Sequence, residues 1–258
     1  MNKNRHSFTL ATIVSAGELL LKERDKNFTT SSKEGDYRNL VTSVDIIVDD
    51  FIKKSIKSSF PDDQIYSEES TENVATLNSF WSIDPIDGTS NFARGIPHFA
   101  VCLAYIENGA AVSGAVYNPV TKELYSFEKG KGAKLNGNKI EVSKVNLLKE
   151  AYVLLHIGRK ESLRDWGLNL QRKFLGEAKK TINLGSSALD LCFVASGKVD
   201  ATIYGTLTTL DCASAIGIVR EALGEVYDSS GQMIKLDKNP QKIFATSNKD
   251  LFDQIVKL

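Results

Sequence analysis

With 258 residues, 42% hydrophobic and 25% charged, the chain has the composition of a globular protein large enough for one big domain or two small ones. Lys plus Arg and Asp plus Glu stand at 32 each, giving zero formal net charge: there is no basic field for nucleic acid and no acidic tail, and any anionic ligand must be held locally. The three cysteines, Cys102, Cys192 and Cys212, are odd in number and set among apolar neighbours, which argues against a disulfide framework and against a zinc site.

The first predicted element is an amphipathic helix from about Phe8 to Leu21, with Phe8, Ala11, Val14, Ala16, Leu19 and Leu20 at helical spacing and a charged run from Lys22 to Lys26 ending the stripe. Phe28 to Asn39 lacks periodicity and reads as a loop or hairpin. Val44, Ile47, Val48, Phe51, Ile52 and Ile56 then restore the helical rhythm until Phe60-Pro61 stops it. Strands follow at Gln64 to Tyr66, Trp81 to Ile83, Phe99 to Tyr105, Ala111 to Val116 and Glu123 to Phe127. The turns Asn108-Gly109, Asn118-Pro119 and Asn136-Gly137 predict a mostly antiparallel sheet.

The second half alternates, with strands expected at Tyr152 to Ile157, Ala201 to Tyr204, Glu225 to Tyr227 and Ile243 to Thr246, and helices at Ser187 to Ser196, Cys212 to Leu223 and Lys249 to Lys257. This is a layered α/β (α+β) pattern, not a barrel. No linker or repeat interrupts it, so residues 1–258 are expected to form one folding unit, with a change of pattern near residue 145 that could mark two closely packed lobes, 1–145 and 146–258. No apolar run approaches the roughly 20 residues that span a bilayer, so no membrane contact is expected and a reduced cytoplasm is the expected compartment.

The chemistry is concentrated in Asp84-Pro85-Ile86-Asp87-Gly88-Thr89-Ser90-Asn91-Phe92. Two acids three positions apart repel at neutral pH unless cations lie between them. Pro85 fixes the backbone so that Asp87 turns back toward Asp84, and the carbonyl of Ile86 projects to the same point. Gly88 lets an anion approach, the amides of Gly88 and Thr89 face a phosphate if they open a short helix, and the Thr89 hydroxyl is able to orient water.

A surface turn is the competing interpretation of an Asp-Pro-x-Asp-Gly segment. It sits poorly with the apolar surroundings Trp81, Ile83, Phe92 and Phe99. Glu68-Glu69, after a strand, and Asp211, before a helix of small residues, are further acids that taken alone read as a solvated edge and a helix cap. His6, His98 and His156 lack partners in sequence and are expected to be structural or solvent-facing, with only His98 near the acidic segment; an all-oxygen site suits magnesium, not zinc.

In this order, Glu68-Glu69, the segment from Asp84 to Phe92, and Asp211-Cys212-Ala213-Ser214-Ala215 resemble the signatures of the inositol monophosphatase family. Leu40 to Asp45, Gly185-Ser186-Ser187-Ala188 and Glu221 to Val226 extend the resemblance over nearly the whole chain. It implies a five-layered αβαβα sandwich of the inositol monophosphatase and fructose-1,6-bisphosphatase type that hydrolyses a small phosphate monoester with two or three Mg2+ ions, with Mn2+ as a substitute and Li+ as an inhibitor. By the same resemblance, Glu68, Asp84 and the Ile86 carbonyl hold one ion, Asp84, Asp87 and Asp211 a second, and Glu69 helps a third. Asp45 and Thr89 pair beside the attacking water, and Gly88, Thr89, Ser90, Gly185, Ser186, Ser187, Tyr204 and Asp211 face the substrate. A homodimer is also implied.

Four positions depart from the family pattern: Leu210 replaces a Trp, Asn39 an Asp, the segment Ile182-Asn183-Leu184 lacks an Arg, and Tyr204 stands where inositol-hydrolysing members carry an acid that grips substrate hydroxyls. The last speaks against inositol itself. A sugar or polyol phosphate ranks first, with fructose 1,6-bisphosphate, histidinol phosphate, adenosine 3′,5′-bisphosphate or NADP as alternatives. A non-catalytic binding or regulatory protein on the same scaffold is the alternative of a different class, and a surface calcium-storage protein fails to explain the cradle at Gly88-Thr89.

Overall fold

A computed structural model describes residues 4–32, 36, 40–69, 78–158 and 161–258. In chain order the elements are α1 (Arg5–Arg24), β1 (Thr30–Ser32), β2 (Leu40–Thr42), α2 (Ser43–Ser59), β3 (Gln64–Ser67), β4 (Ser79–Asp87), α3 (Thr89–Ala93), β5 (Ala100–Glu107), β6 (Ala110–Asn118) and β7 (Glu123–Glu128). They continue with β8 (Ala133–Leu135), β9 (Asn138–Ile140), β10 (Tyr152–His156), α4 (Glu161–Glu177), β11 (Lys180–Ile182), α5 (Ser187–Ala195), β12 (Ala201–Leu207), α6 (Ala213–Glu221), β13 (Glu225–Tyr227), β14 (Gln241–Thr246) and α7 (Lys249–Ile255).

Local chemistry sets the helix starts. The Asn4 side chain accepts from the amides of His6 and Ser7, and Thr42 and Asp45 form a reciprocal capping box at α2, whose buried stripe includes Val44, Val48, Ile52 and Ile56. β1 and β2 pair antiparallel where a loop or hairpin was expected. The first helix runs three residues beyond either predicted end, because Arg5 packs over the Phe60 and Tyr105 rings and Arg24 lies in the last turn, where the helix dipole favours a cation.

β3 to β9 form a seven-stranded sheet in sequence order, antiparallel except for the parallel β3–β4 pair. The second sheet has five strands in the order β11-β10-β12-β14-β13; β10 runs parallel to β11 and β12, and β14 antiparallel to β12 and β13.

Strand alternation builds the layers. Val101 and Leu103 of β5 pack with Ile13, Leu20, Val48 and Ile52 of α1 and α2, while Ala100 and Cys102 face the other way and join Leu189, Cys192, Ile216 and Val219 of α5 and α6. In β14, Ile243 and Ala245 meet that same central cluster, whereas Phe244 packs with Leu170 and Phe174 of α4 and Leu251 and Phe252 of α7. The result is the five-layered αβαβα sandwich. α6 lies so close to the seven-stranded sheet that a Cβ on Gly217 would stand 2.1 Å from the Phe127 ring.

The helix α4 and the short strand β11 were not anticipated from sequence, and β8 and β9 flank the expected Asn136-Gly137 turn without having been given ranges. All three cysteines are buried and free, as expected of core thiols. Asn39 lies outside the described residues, and Leu210, at the Trp position, packs against Phe80, Ala104, Ile106 and Ala213. Among the described residues no helix is long and apolar enough to cross a membrane.

Candidate active site

The site begins with an irregularity in β4. Asp84 pairs with Cys102 and Asp87 with Ala100, so three steps along β4 match two along β5. In a regular pleat, residues three apart point to opposite faces; the extra residue puts Asp84 and Asp87 on the same face, toward the helices of the central layer. Pro85, which has no amide to donate, sits inside this bulge, where the ladder is interrupted. The Ile86 amide donates to Asp84 Oδ1 at 3.1 Å.

Beyond the bulge the chain turns through Gly88, whose φ of 86° is left-handed, and enters α3. A Cβ there would meet the His98 carbonyl at 3.0 Å and Ser186 Cβ at 3.2 Å, so side chains larger than hydrogen are excluded. The Asn91 and Phe92 amides donate to the Gly88 carbonyl at 2.9 and 3.0 Å, so the amides ahead of them, of Gly88, Thr89 and Ser90, are the ones at the helix start that can face an anion. Asn91 ties this turn to the segment before α5, its Nδ2 donating to the carbonyls of His98 at 2.8 Å and Leu184 at 2.9 Å.

Asp87 reaches across to α5. Its Oδ1 accepts from the Ser187 amide at 3.1 Å and hydroxyl at 2.6 Å, and its Oδ2 from the Ala188 amide at 3.0 Å and the Ser186 hydroxyl. Ser186 occupies the N-cap position of α5 without capping it through its own side chain; the cap comes from an acid about a hundred residues earlier. Burial pushes the Asp87 pKa up, and the hydrogen bonds from Ser186, Ser187 and Ala188 oppose that rise.

A cleft of about 420 Å³ joins these pieces, lined by Glu68, Asp84, Ile86, Asp87, Thr89 and Asp211. Gly88, Ser90, Gly185, Ser187 and Tyr204 also line it. Glu68 follows β3 with its amide on the Ile83 carbonyl at 3.1 Å, and Asp211 precedes α6 with Oδ1 accepting from the Tyr66 hydroxyl at 3.2 Å. Burial, followed by the charges of Glu68, Asp87 and Asp211, raises the Asp84 pKa well above the carboxylate range.

Asp45 stands behind Thr89. Its Oδ2 accepts from the Thr42 amide and hydroxyl, and its Oδ1 is 3.4 Å from the Thr89 hydroxyl, which also reaches the Ile86 carbonyl at 2.9 Å. Burial pushes the Asp45 carboxyl up to about 6, with Thr42 opposing and Glu69 and Glu68 adding to the rise. Glu69 is thus close to Asp45 without lining the cleft.

The donor chemistry fits a hard cation. Carboxylates and one carbonyl converge, Asp84 carries an electrostatic load that a cation would relieve, and among the described residues no Lys or Arg lines the cleft. As they stand, no three His, Cys, Asp or Glu side chains among the described residues are grouped tightly enough to hold an ion. Asp87 explains part of this: its hydrogen bonds to α5 fill the roughly four acceptor positions of a carboxylate, so an ion there replaces a serine hydroxyl.

Two residues of the site, His156 and Asp190, were missed in the sequence. His156, expected to be isolated, lines the cleft and stacks on Tyr204, with centroids 5.0 Å apart and planes at 15°. His98 takes the structural one of its two expected roles; its Nε2 lies 3.0 Å from Oδ1 of buried Asp190. Asp190 had a readable signal, a lone acid in the otherwise apolar stretch from Ala188 to Ala195, which at such a position requires partners. It also accepts from the Tyr204 hydroxyl, so Tyr204 offers the cleft its ring and not its oxygen, and Ser186, fully buried, has its hydroxyl on Asp87.

A sequence model of the inositol monophosphatase family matches residues 2–258. A fructose-1,6-bisphosphatase/inositol-1-monophosphatase of Thermotoga maritima is 32% identical over 256 residues, 99% of this chain and 95% of its own. The Nus factor SuhB of Pasteurella multocida is 34% identical, covering 84% of this chain and 82% of its own. Among solved structures, the IMPase of Thermotoga maritima superposes with a TM-score of 0.89 at 30% identity, covering 99% of this chain and 96% of that one. With the family pattern matched from end to end and the fold shared at that level, the chain belongs to the inositol monophosphatase family.

Proposed function

We propose that the protein is a magnesium-dependent phosphomonoesterase acting on a small phosphate ester, with the cleft between the β4 bulge and α5 as its active site. The observation that carries this is Asp84: a buried acid crowded by Glu68, Asp87 and Asp211 on the wall of an open cleft is an expensive arrangement that a cation makes favourable. Glu68, Asp84 and the Ile86 carbonyl would hold one ion, and Asp84 and Asp211, with Asp87 releasing a serine hydroxyl, a second. Glu69, near Asp45, would help a third. Bound magnesium supplies Lewis acidity that lowers the pKa of water and offsets charge on the phosphate.

The chain's own groups do the rest. The amides of Gly88, Thr89 and Ser90 bind phosphate oxygens at the start of α3. The Thr89 hydroxyl, with its proton directed to Asp45 or to the Ile86 carbonyl, keeps a lone pair to accept a hydrogen bond from the attacking water and so orients it. Asp45 in turn is held by Thr42, which fixes the whole relay to the start of α2.

The test is phosphate release from inositol 1-phosphate, fructose 1,6-bisphosphate, histidinol phosphate, adenosine 3′,5′-bisphosphate and NADP, with and without magnesium, beside Asp84→Asn. Magnesium-dependent release from one of them, lost in the variant, is expected. Release from none overturns the reading for this panel. It would favour a binding protein on the same scaffold, the reading to which the likeness to a Nus factor lends support.

A further inference from the structure

Part of the cleft lining is unlike the acidic residues. His156, Tyr204, Leu207 and Pro240 form it with Gly158 and Thr206, and none of these carries a carboxylate. The centre of this wall is the His156–Tyr204 stack. The two residues are direct cross-strand partners in the parallel β10–β12 pair, so strand register itself lays one ring on the other.

The hydroxyl of Tyr204 is turned away from any ligand. It donates to Asp190, whose other oxygen meets His98, and both Tyr204 and Asp190 are buried, at 3% and 2% exposure. A polyol gains from acceptors that grip its hydroxyls, and a site built that way leaves its polar groups unpaired when the polyol is absent. Here the polar atom is already paired inside the protein, and the surface offered is a ring wall, which rewards a flat apolar face.

We infer that the His156–Tyr204 wall is the leaving-group subsite and that it selects phosphate esters whose alcohol carries an aromatic ring over esters of polyols. The assignment rests on the phosphatase reading of the same cleft and deepens it. It departs from the order expected from sequence, in which polyol phosphates rank first: the position that lost the hydroxyl-gripping acid gained a stacked ring. Substrate phosphate lies at the Gly88–Ser90 turn while the ring of the departing alcohol lies against His156.

The experiment compares kcat/KM for benzyl phosphate and cyclohexylmethyl phosphate, esters of similar size and leaving-group basicity that differ in aromaticity, with glycerol 2-phosphate and inositol 1-phosphate beside them. A preference for the benzyl ester of roughly three- to tenfold is expected, the range of an aromatic pair. The preference should collapse to within about twofold in His156→Ala and persist in Tyr204→Phe, which keeps the ring and removes only the bond to Asp190. Equal turnover of the two esters by the wild-type protein, a polyol preference, or an unchanged ratio in a folded His156→Ala protein overturns the assignment while leaving the phosphatase reading intact. Phosphate release from none of the four esters overturns the phosphatase reading and the subsite with it.

Discussion

The two walls of the cleft solve opposite problems. The acidic wall gathers Glu68, Asp84, Asp87 and Asp211 from three chain segments and leaves Asp84 buried against its neighbours' charge, whereas the ring wall pairs the Tyr204 hydroxyl behind its surface before a ligand arrives. One wall is under electrostatic load and the other is at rest. A load held in the folded state is a reserve for binding, because whatever relieves it is bound more tightly; a satisfied wall can only discriminate by shape and stacking.

The comparison can be broken most decisively at Asp84. Asp84→Asn, expected to lower phosphate release by roughly a thousandfold or more, should at the same time raise the melting temperature of the metal-free protein, since the amide keeps an acceptor for the Ile86 amide and removes the repelled charge. A thermal melt in chelator checks it; a lower melting temperature would show that the load is not there.

Asp45 supplies the next largest effect. The folded state holds its proton to about pH 6, while the unfolded chain releases it near the model-peptide value of 3.8, so between these values the folded state binds more protons. Metal-free stability should therefore fall as pH rises from about 4 to about 6 and level off above, by an amount on the order of 3 kcal/mol for two pKa units. Denaturant titrations across that window, with Asp45→Asn removing this part of the slope, measure it.

The smallest effect tests whether Asp87 belongs to the loaded wall alone or also to the fold. Asp87→Ala leaves the amides of Ser187 and Ala188 without their acceptor and should cost about 1–2 kcal/mol, the range of a lost helix cap. Unfolding midpoints of Asp87→Ala and Asp84→Asn in the absence of metal should thus move in opposite directions. Movement in the same direction would erase the distinction between the two acids.

Legibility followed the same division. The segment from Asp84 to Phe92 was readable because its chemistry is contiguous, and α1 and α2 because their buried stripes follow a regular period. The ring wall was not, since His156 and Tyr204 lie 48 positions apart and meet only through strand register. α4 escaped because its buried stripe is short, only Gly167, Leu170 and Phe174, and is blurred by the exposed Leu168 and Leu175 beside it. The bulge in β4 was half visible: Pro85 pointed to the convergence of Asp84 and Asp87, but that a register shift against β5 achieves it follows only from the strand pairing.

The cap that Asp87 places on α5 has one more consequence. Because the Ser187 and Ala188 amides donate to the same carboxylate that faces the cleft, any cation drawing on that carboxylate must weaken those donors, and their proton chemical shifts and exchange rates become a label-free gauge of occupancy. The first turn of α5 is in effect a built-in sensor, wired to the active site by a single side chain and readable without a substrate.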